Sequence, residues 1–232
     1  MITSLILLII VLIMIIFGVL AERKVKGSMQ RRIGPNSVGW LGLLQTLADG
    51  IKLIIKETII PIKSLNFVFI ISPLLFFLIC LLNWSILPLD LGISIISLNQ
   101  LDLLFTITLS ELSIIGTLYS GFSSRSKYSF LGSVRAIGLM ISYSIGKSLS
   151  LIILYLLIGS LDYLIIYYSQ YNIGLIYIGL PVIILLIICT IAELARCPFD
   201  LIEAESELVA GQKTEYSGVI FSFFFLGEYS KK

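Results

Sequence analysis

ITSLILLIIVLIMIIFGVL (residues 2–20) is an uncharged apolar run, and the stretch after it, AERKVKGSMQRRIGPN (residues 21–36), holds the first cluster of basic residues. Wound as a helix at about 1.5 Å per residue, the run nearly covers the roughly 30 Å of hydrocarbon in a bilayer. Its basic neighbours follow it and none precedes it, the reverse of a secretory signal peptide, so it reads as a first membrane span.

Further uncharged or nearly uncharged runs extend from Asn66 to Leu89, from Leu103 to Phe122 around Glu111, from Ala136 to Ile158 around Lys147, and from Asn172 to Leu194. A last run, Tyr216 to Phe225, is too short for a full crossing. Composition agrees: 58% of residues are hydrophobic, 13% are charged, and mean hydropathy is +1.06. A soluble domain of this size needs more charge on its surface, so the solvent is largely lipid. The expected fold is all-α, a polytopic helical membrane protein with about six hydrophobic segments. We read one membrane domain over 1–232: first span 1–21, inner loop 22–65, spans two to five 66–194, acidic inner loop 195–215, and a partial last span 216–232.

Charge placement orients these spans. The segments joining spans one to two, three to four and five to six hold the basic residues, from Arg23, Arg31 and Arg32 through Arg125 and Arg135 to Arg196 and Lys213. The connections around 90–102 and 160–171 hold neither Lys nor Arg. The basic side therefore faces the cytoplasm or a mitochondrial matrix, and the amino terminus faces outward. A net charge of +2 gives no reason to expect nucleic acid. Cys80, Cys189 and Cys197 lack metal-site spacing, and there is no histidine, so redox centres are expected on other chains.

On the inner side, Gln45, Asp49, Lys52 and Lys56 recur at helical spacing among Leu41, Leu44, Leu47, Ile51 and Ile54. This predicts an amphipathic helix over 41–57, either lying on the membrane surface or lining a site with Asp49 turned toward it. Two carboxylates fall in the spans. Glu111 is flanked by Ser110 and Ser113, and Glu193 has Arg196 three residues on. An ionised carboxylate is costly in hydrocarbon, so such a group faces the bundle interior, pairs, or takes up a proton. Beyond span five, Asp200, Glu203 and Glu207 would share a helical face, with Glu205 off it.

Taken together, these segments resemble the chain 1 family of NADH:ubiquinone oxidoreductase, the membrane subunit joining the two arms of respiratory complex I. The matching stretches include Glu22-Arg-Lys-Val25, Met29-Gln-Arg-Arg-Ile-Gly-Pro-Asn36, Gly42-Leu-Leu-Gln-Thr-Leu-Ala-Asp49 and Pro198-Phe-Asp-Leu201. Glu205-Ser-Glu-Leu-Val209, Glu215-Tyr216 and Glu228-Tyr229 continue the match in the family's order. The resemblance implies a tunnel for the quinone tail, with Glu22, Arg23, Arg31, Arg32 and Asp49 near the quinone cavity. It implies a proton or coupling path through Glu111, Lys147, Glu193, Glu203, Glu205, Glu207, Glu215 and Glu228. Ubiquinone would be the substrate, with NADH, FMN and iron–sulfur clusters on other subunits. Implied partners are peripheral-arm subunits bearing the terminal iron–sulfur cluster, antiporter-like membrane-arm subunits, and membrane lipids.

Two departures stand out. Where the family's fourth span reads isoleucine-serine-tyrosine-glutamate, this chain has Ile141-Ser-Tyr-Ser144, with Lys147 one turn on. Glu111 is expected to replace the missing acid, with Lys147 as its candidate partner. The family also continues for about two more spans, so a separate polypeptide is expected to complete this one. A membrane anchor of a related hydrogenase is the alternative function. A mitochondrial inner membrane is the expected location, with a bacterial plasma membrane as the alternative.

Overall fold

The computed structural model describes residues 2–87, 101–170, 174–194, 199 and 211–231. Its elements are helices: α1 (Ile2–Met29), α2 (Gln45–Ile55), α3 (Asn66–Trp84), α4 (Asp102–Ser124), α5 (Lys127–Ile158), α6 (Tyr163–Ser169), α7 (Leu175–Ile178), α8 (Leu180–Glu193) and α9 (Gly218–Lys231). Short 3₁₀ turns at Trp40–Gly42 and Gly211–Lys213 interrupt the connections. Helices α3, α4 and α5 are long and apolar enough to cross a membrane, and α8 is a shorter apolar helix. Apolar side chains such as Ile13, Leu78, Ile115, Ile145 and Leu156 stay exposed on these helices and on α1. That is how a bundle bathed in lipid differs from one bathed in water.

Small residues set the close packing. Helix α4 carries buried Ser110, Ser113, Thr117, Ser120, Ser123 and Ser124, and each hydroxyl donates to the carbonyl three residues before it. Satisfied in this way, the hydroxyls enter an apolar interior without an orphaned donor. A Cβ at Gly116 would stand 2.9 Å from Phe76 Cβ, so α3 and α4 touch almost backbone to backbone there. Helix α3 also meets α9 and Tyr216 just before it, in a cluster of Phe69, Phe76, Cys80, Tyr216, Ile220 and Phe224. The Phe69 and Tyr216 rings stack at 4.2 Å. The Tyr216 hydroxyl donates to the Ser120 carbonyl at 3.1 Å, with the Ser72 and Ser123 hydroxyls at 3.4 and 3.3 Å.

Several boundaries differ from those expected. The amphipathic helix begins at Gln45 because the residues before it form a 3₁₀ turn, with Leu41 at φ 55 and Gly42 at φ 74 against the Pro35 backbone. Helix α2 buries no residue and leaves Ile51, Ile54 and Ile55 bare, as a helix lying at a membrane surface would. The fifth span is broken: α7 ends at Ile178, and α8 starts after Gly179 with Pro181 in its first turn. The last helix runs six residues past Phe225, to Lys231.

Candidate functional site

Charged side chains converge in two places, the inner edge and the bundle interior. At the inner edge α1 runs on past the apolar run, which puts Glu22, Arg23, Lys24 and Lys26 on its last turns. The Arg23 guanidinium donates to Asp49 Oδ2 at 2.6 Å, and Gln45, one turn earlier on α2, donates to Oδ1 at 3.1 Å. The Lys24 ammonium holds the Leu41 carbonyl at 2.6 Å, so α1 and the start of the α2 segment are tied at two points. Glu22 pairs with Lys26 at 2.7 Å across one turn. Arg31 and Arg32 sit exposed on the turn after α1, and Arg32 bonds Gln30 rather than Asp49.

Beside this cluster an apolar groove of about 580 Å³ follows α1, with Val11, Met14 and Gly18 along one wall and Glu22, Lys26 and Met29 toward its inner end. Trp84 and Tyr229 line it from α3 and α9. The Trp84 indole N–H donates to the Ser230 carbonyl at 2.8 Å, which fixes that wall.

In the interior, Lys213 lies 2.7 Å from the Glu228 carboxylate and over the Phe225 ring at 5.1 Å. Its place in the chain puts Lys213 among the inner-surface cations, but the residue is only 6% exposed. The reason is local. The Gly211–Lys213 turn presses on α5, where a Cβ at Gly132 would stand 2.7 Å from Gly211 Cα, and the Ser129 hydroxyl donates to the Gln212 carbonyl. Further along α9, the Lys231 ammonium donates to Ser113 Oγ at 2.6 Å and lies 5.1 Å from the Phe76 centroid.

The third interior group is Lys147 on α5 and Glu193 at the end of α8, 2.6 Å apart, with 14% and 11% of their side chains exposed. A pair this dry needs both partners, because removing one leaves a charge that neither lipid nor protein solvates. Lys147 thus goes to Glu193 and not, as expected, to Glu111. The cause is the approach of α8, whose Cys189 Sγ would meet a Cβ at Gly146 at 2.9 Å. Ser144, where the family acid is missing, is buried and donates to the Ile141 carbonyl at 3.0 Å. Glu111 and Glu215 are half-buried and have no ion-pair partner among the described residues. Glu203, Glu205, Glu207 and Arg196 lie outside the described residues.

A cavity of about 320 Å³ adjoins the Lys147–Glu193 pair and Lys231. Its other lining includes Asn83, Thr106, Ser110 and Tyr163. Burial pushes the Tyr163 phenol above the usual tyrosine range, against the hydrogen bond to Thr106 and with the help of Asp102. It therefore stays a donor to Thr106 at 2.8 Å, since the Thr106 proton is already given to the Leu103 carbonyl.

Sequence reasoning missed Lys213 and Lys231 as interior groups. Lys231 follows Glu228 by three residues, which is helical spacing, and the signal was lost by ending the last hydrophobic run at Phe225.

The sequence model of the NADH dehydrogenase family matches residues 2–232. NADH-ubiquinone oxidoreductase chain 1 of Mycosarcoma maydis is 44% identical over 225 residues, 97% of this chain and 68% of that protein. The protein of the same name from Hyaloraphidium curvatum is 42% identical over 227 residues, 98% of this chain and 76% of that one. An NADH-quinone oxidoreductase subunit of the bacterium Paramagnetospirillum magneticum is 43% identical over 219 residues, covering 94% of this chain and 64% of that one.

Proposed function

Because the chain belongs to the NADH dehydrogenase family, we propose that it works as a membrane subunit of a proton-translocating NADH:quinone oxidoreductase. In this reading it guides ubiquinone to its reduction site and passes the resulting charge change toward proton pumping. The relatives' names support a quinone substrate over a hydrogenase anchor. Relatives in fungi support a mitochondrial inner membrane, with the bacterial relative keeping a plasma membrane as the alternative. NADH, FMN and the iron–sulfur clusters belong to partner subunits, and antiporter-like subunits take up the coupling.

The groove along α1 suits an isoprenoid tail. Its volume falls in the range of small-molecule sites, its walls are mainly apolar, and its inner end carries charge. The Arg23–Asp49–Gln45 cluster beside it fixes α2 against α1 and offers donors near a quinone headgroup. Quinone reduction consumes protons, so a cluster of this kind feels the change in charge when the quinol forms.

One observation carries the coupling half of the proposal: the Lys147–Glu193 ion pair inside the bundle. Charged groups inside a membrane are rare, and they mark ion or proton routes. From the inner side, Lys213–Glu228, then Lys231, then Lys147–Glu193 form a series of charges among apolar and hydroxyl side chains. Each is paired or hydrogen-bonded, so a proton arriving at one carboxylate frees its lysine to change partner. Glu111 and Glu215 are further acids at the edges of this series. The test is made in the assembled complex: Asp49→Asn is expected to slow quinone reduction, and Glu193→Gln to lower the protons moved per NADH. Normal values for both variants would overturn the proposal.

A further inference from the structure

On the face whose connections carry no Lys or Arg, a pocket of about 840 Å³ lies between the start of α4, the end of α5 and the connection to α6. Leu104 stands two residues into α4, and Ile152 stands six residues before the end of α5. At about 1.5 Å per residue the pocket therefore reaches about 9 Å into the outer half of the bundle. Its rim is tied in place. Helix α5 ends at Gly159, at φ 80, and the turn beyond it returns to α4, where Leu103 N donates to the Leu161 carbonyl at 3.4 Å. The Tyr163 and Thr106 hydroxyls join α6 to α4 at 2.8 Å.

The walls suit a hydrocarbon chain. Leu101, Leu104, Ile152, Leu156 and Ile165 line the pocket, and Leu104, Leu156 and Ile165 are exposed, so it is entered sideways from the bilayer. A buried water needs two to four polar partners, which walls of this kind do not supply along their length. Left unfilled, they would forfeit dispersion contacts. One polar group does face an occupant: Ser160 lines the pocket, and its Oγ is buried with no hydrogen-bond partner. An orphaned hydroxyl of this kind calls for a partner that the protein does not provide.

Charge selects the head. Asp162 follows Ser160 by two residues and caps α6, with Oδ1 accepting from Leu164 N at 3.0 Å. Exposed Tyr167 and Tyr168 on α6 mark the headgroup level of the bilayer. No Lys or Arg occurs in residues 85–124 or 148–195, so an anionic head would meet a carboxylate and no cation from these segments. An ammonium head would meet a carboxylate of opposite charge.

We propose that this pocket binds one acyl chain of a zwitterionic diacyl phospholipid of the outer leaflet. A glycerol ester carbonyl accepts from the Ser160 hydroxyl, and the ammonium of the head lies beside Asp162. Lipid tails are all about as apolar as leucine, so Ser160 and Asp162, not the tail, set the choice of lipid. The site is independent of how quinone or protons are handled elsewhere in the chain.

The test places the assembled complex in bilayer nanodiscs with a trace of phosphatidylcholine or phosphatidylglycerol whose acyl chain carries a photoactivatable diazirine. Cross-linked residues are read by mass spectrometry. Phosphatidylcholine should label Ile152 and Tyr155 several-fold more than Ile153 and Leu157, which lie at similar depth on α5, are exposed, and do not line the pocket. It should exceed phosphatidylglycerol by about threefold to fivefold, the range of an exposed ion pair. Asp162→Asn keeps a capping side chain and should abolish that preference. Leu104→Trp fills the pocket and should bring its labelling down to the level at Ile153; Ile165→Trp serves from α6 if Leu104→Trp fails to assemble. Equal labelling of the two sets of α5 residues, which would mean annular lipid contact only, overturns the site. Labelling by phosphatidylglycerol as strong as by phosphatidylcholine, or a pattern unchanged by the tryptophan, overturns it as well.

Discussion

The ammonium of Lys147 stands 2.6 Å from the carboxylate of Glu193, joining helices α5 and α8 across 46 residues of sequence. Both side chains are nearly dry, so the contact has opposite consequences for single and double substitutions. Lys147→Met strands an anion and Glu193→Leu strands a cation, each expected to cost about 3–5 kcal/mol. The double variant strands neither. Heat inactivation of the purified complex should show the double variant surviving to higher temperature than either single variant. Additive losses would mean that the two groups do not act as a pair.

The Arg23–Asp49 pair behaves differently because 48% and 38% of its side chains are exposed. An exposed pair contributes about 0–1 kcal/mol, so Asp49→Asn should leave thermal stability almost unchanged. Its effect is expected in quinone kinetics, with KM for a short-chain quinone rising several-fold. A large fall in stability with normal kinetics would make the pair structural.

Gly132 is expected to admit no side chain, since its Cβ would stand 2.7 Å from Gly211 and 2.8 Å from the Gln212 nitrogen. Gly132→Ala should displace the Gly211–Lys213 turn at a cost of about 1–3 kcal/mol and loosen Lys213 from Glu228. Assembly yield and the melting temperature of the complex report this. Ala at Gly138, where a Cβ meets nothing within 4 Å, is the matched variant that should change neither.

At Tyr216 the hydroxyl and the ring can be separated. Tyr216→Phe loses the bond to the Ser120 carbonyl, at a cost of about 0.5–1.5 kcal/mol, but keeps the stack on Phe69. Tyr216→Ala loses both and should cost about 3–5 kcal/mol. Equal losses in thermal melts would show that packing of the ring contributes little.

Much of this was legible in the sequence because a membrane simplifies it. Apolar runs about 20 residues long mark helices, and Glu193 among isoleucines marks a group that must find a partner. What could not be read was the partner. Arg196 was nearer in sequence, and Glu111 was the obvious mate for Lys147, but pairing across helices depends on the break at Gly179 and on how α8 meets α5 near Gly146. Lys213 was misread for a related reason. A basic residue in an inner connection is usually a surface charge, and only the Gly132–Gly211 approach carries it into the bundle. Lys231 was overlooked because hydrophobicity falls off after Phe225 although helical structure does not. The inner helix was readable from its stripe of Gln45, Asp49 and Lys52, yet its start was set by backbone geometry at Leu41 and Gly42 that no hydrophobic pattern encodes.

The coupling role of the Lys147–Glu193 pair is tested most directly by the number of protons moved per NADH oxidised by a Glu193→Gln complex in sealed vesicles. The variant should still reduce quinone but move several-fold fewer protons for each NADH, because the neutral amide no longer exchanges charge with Lys147. A wild-type ratio at a wild-type rate would contradict that role.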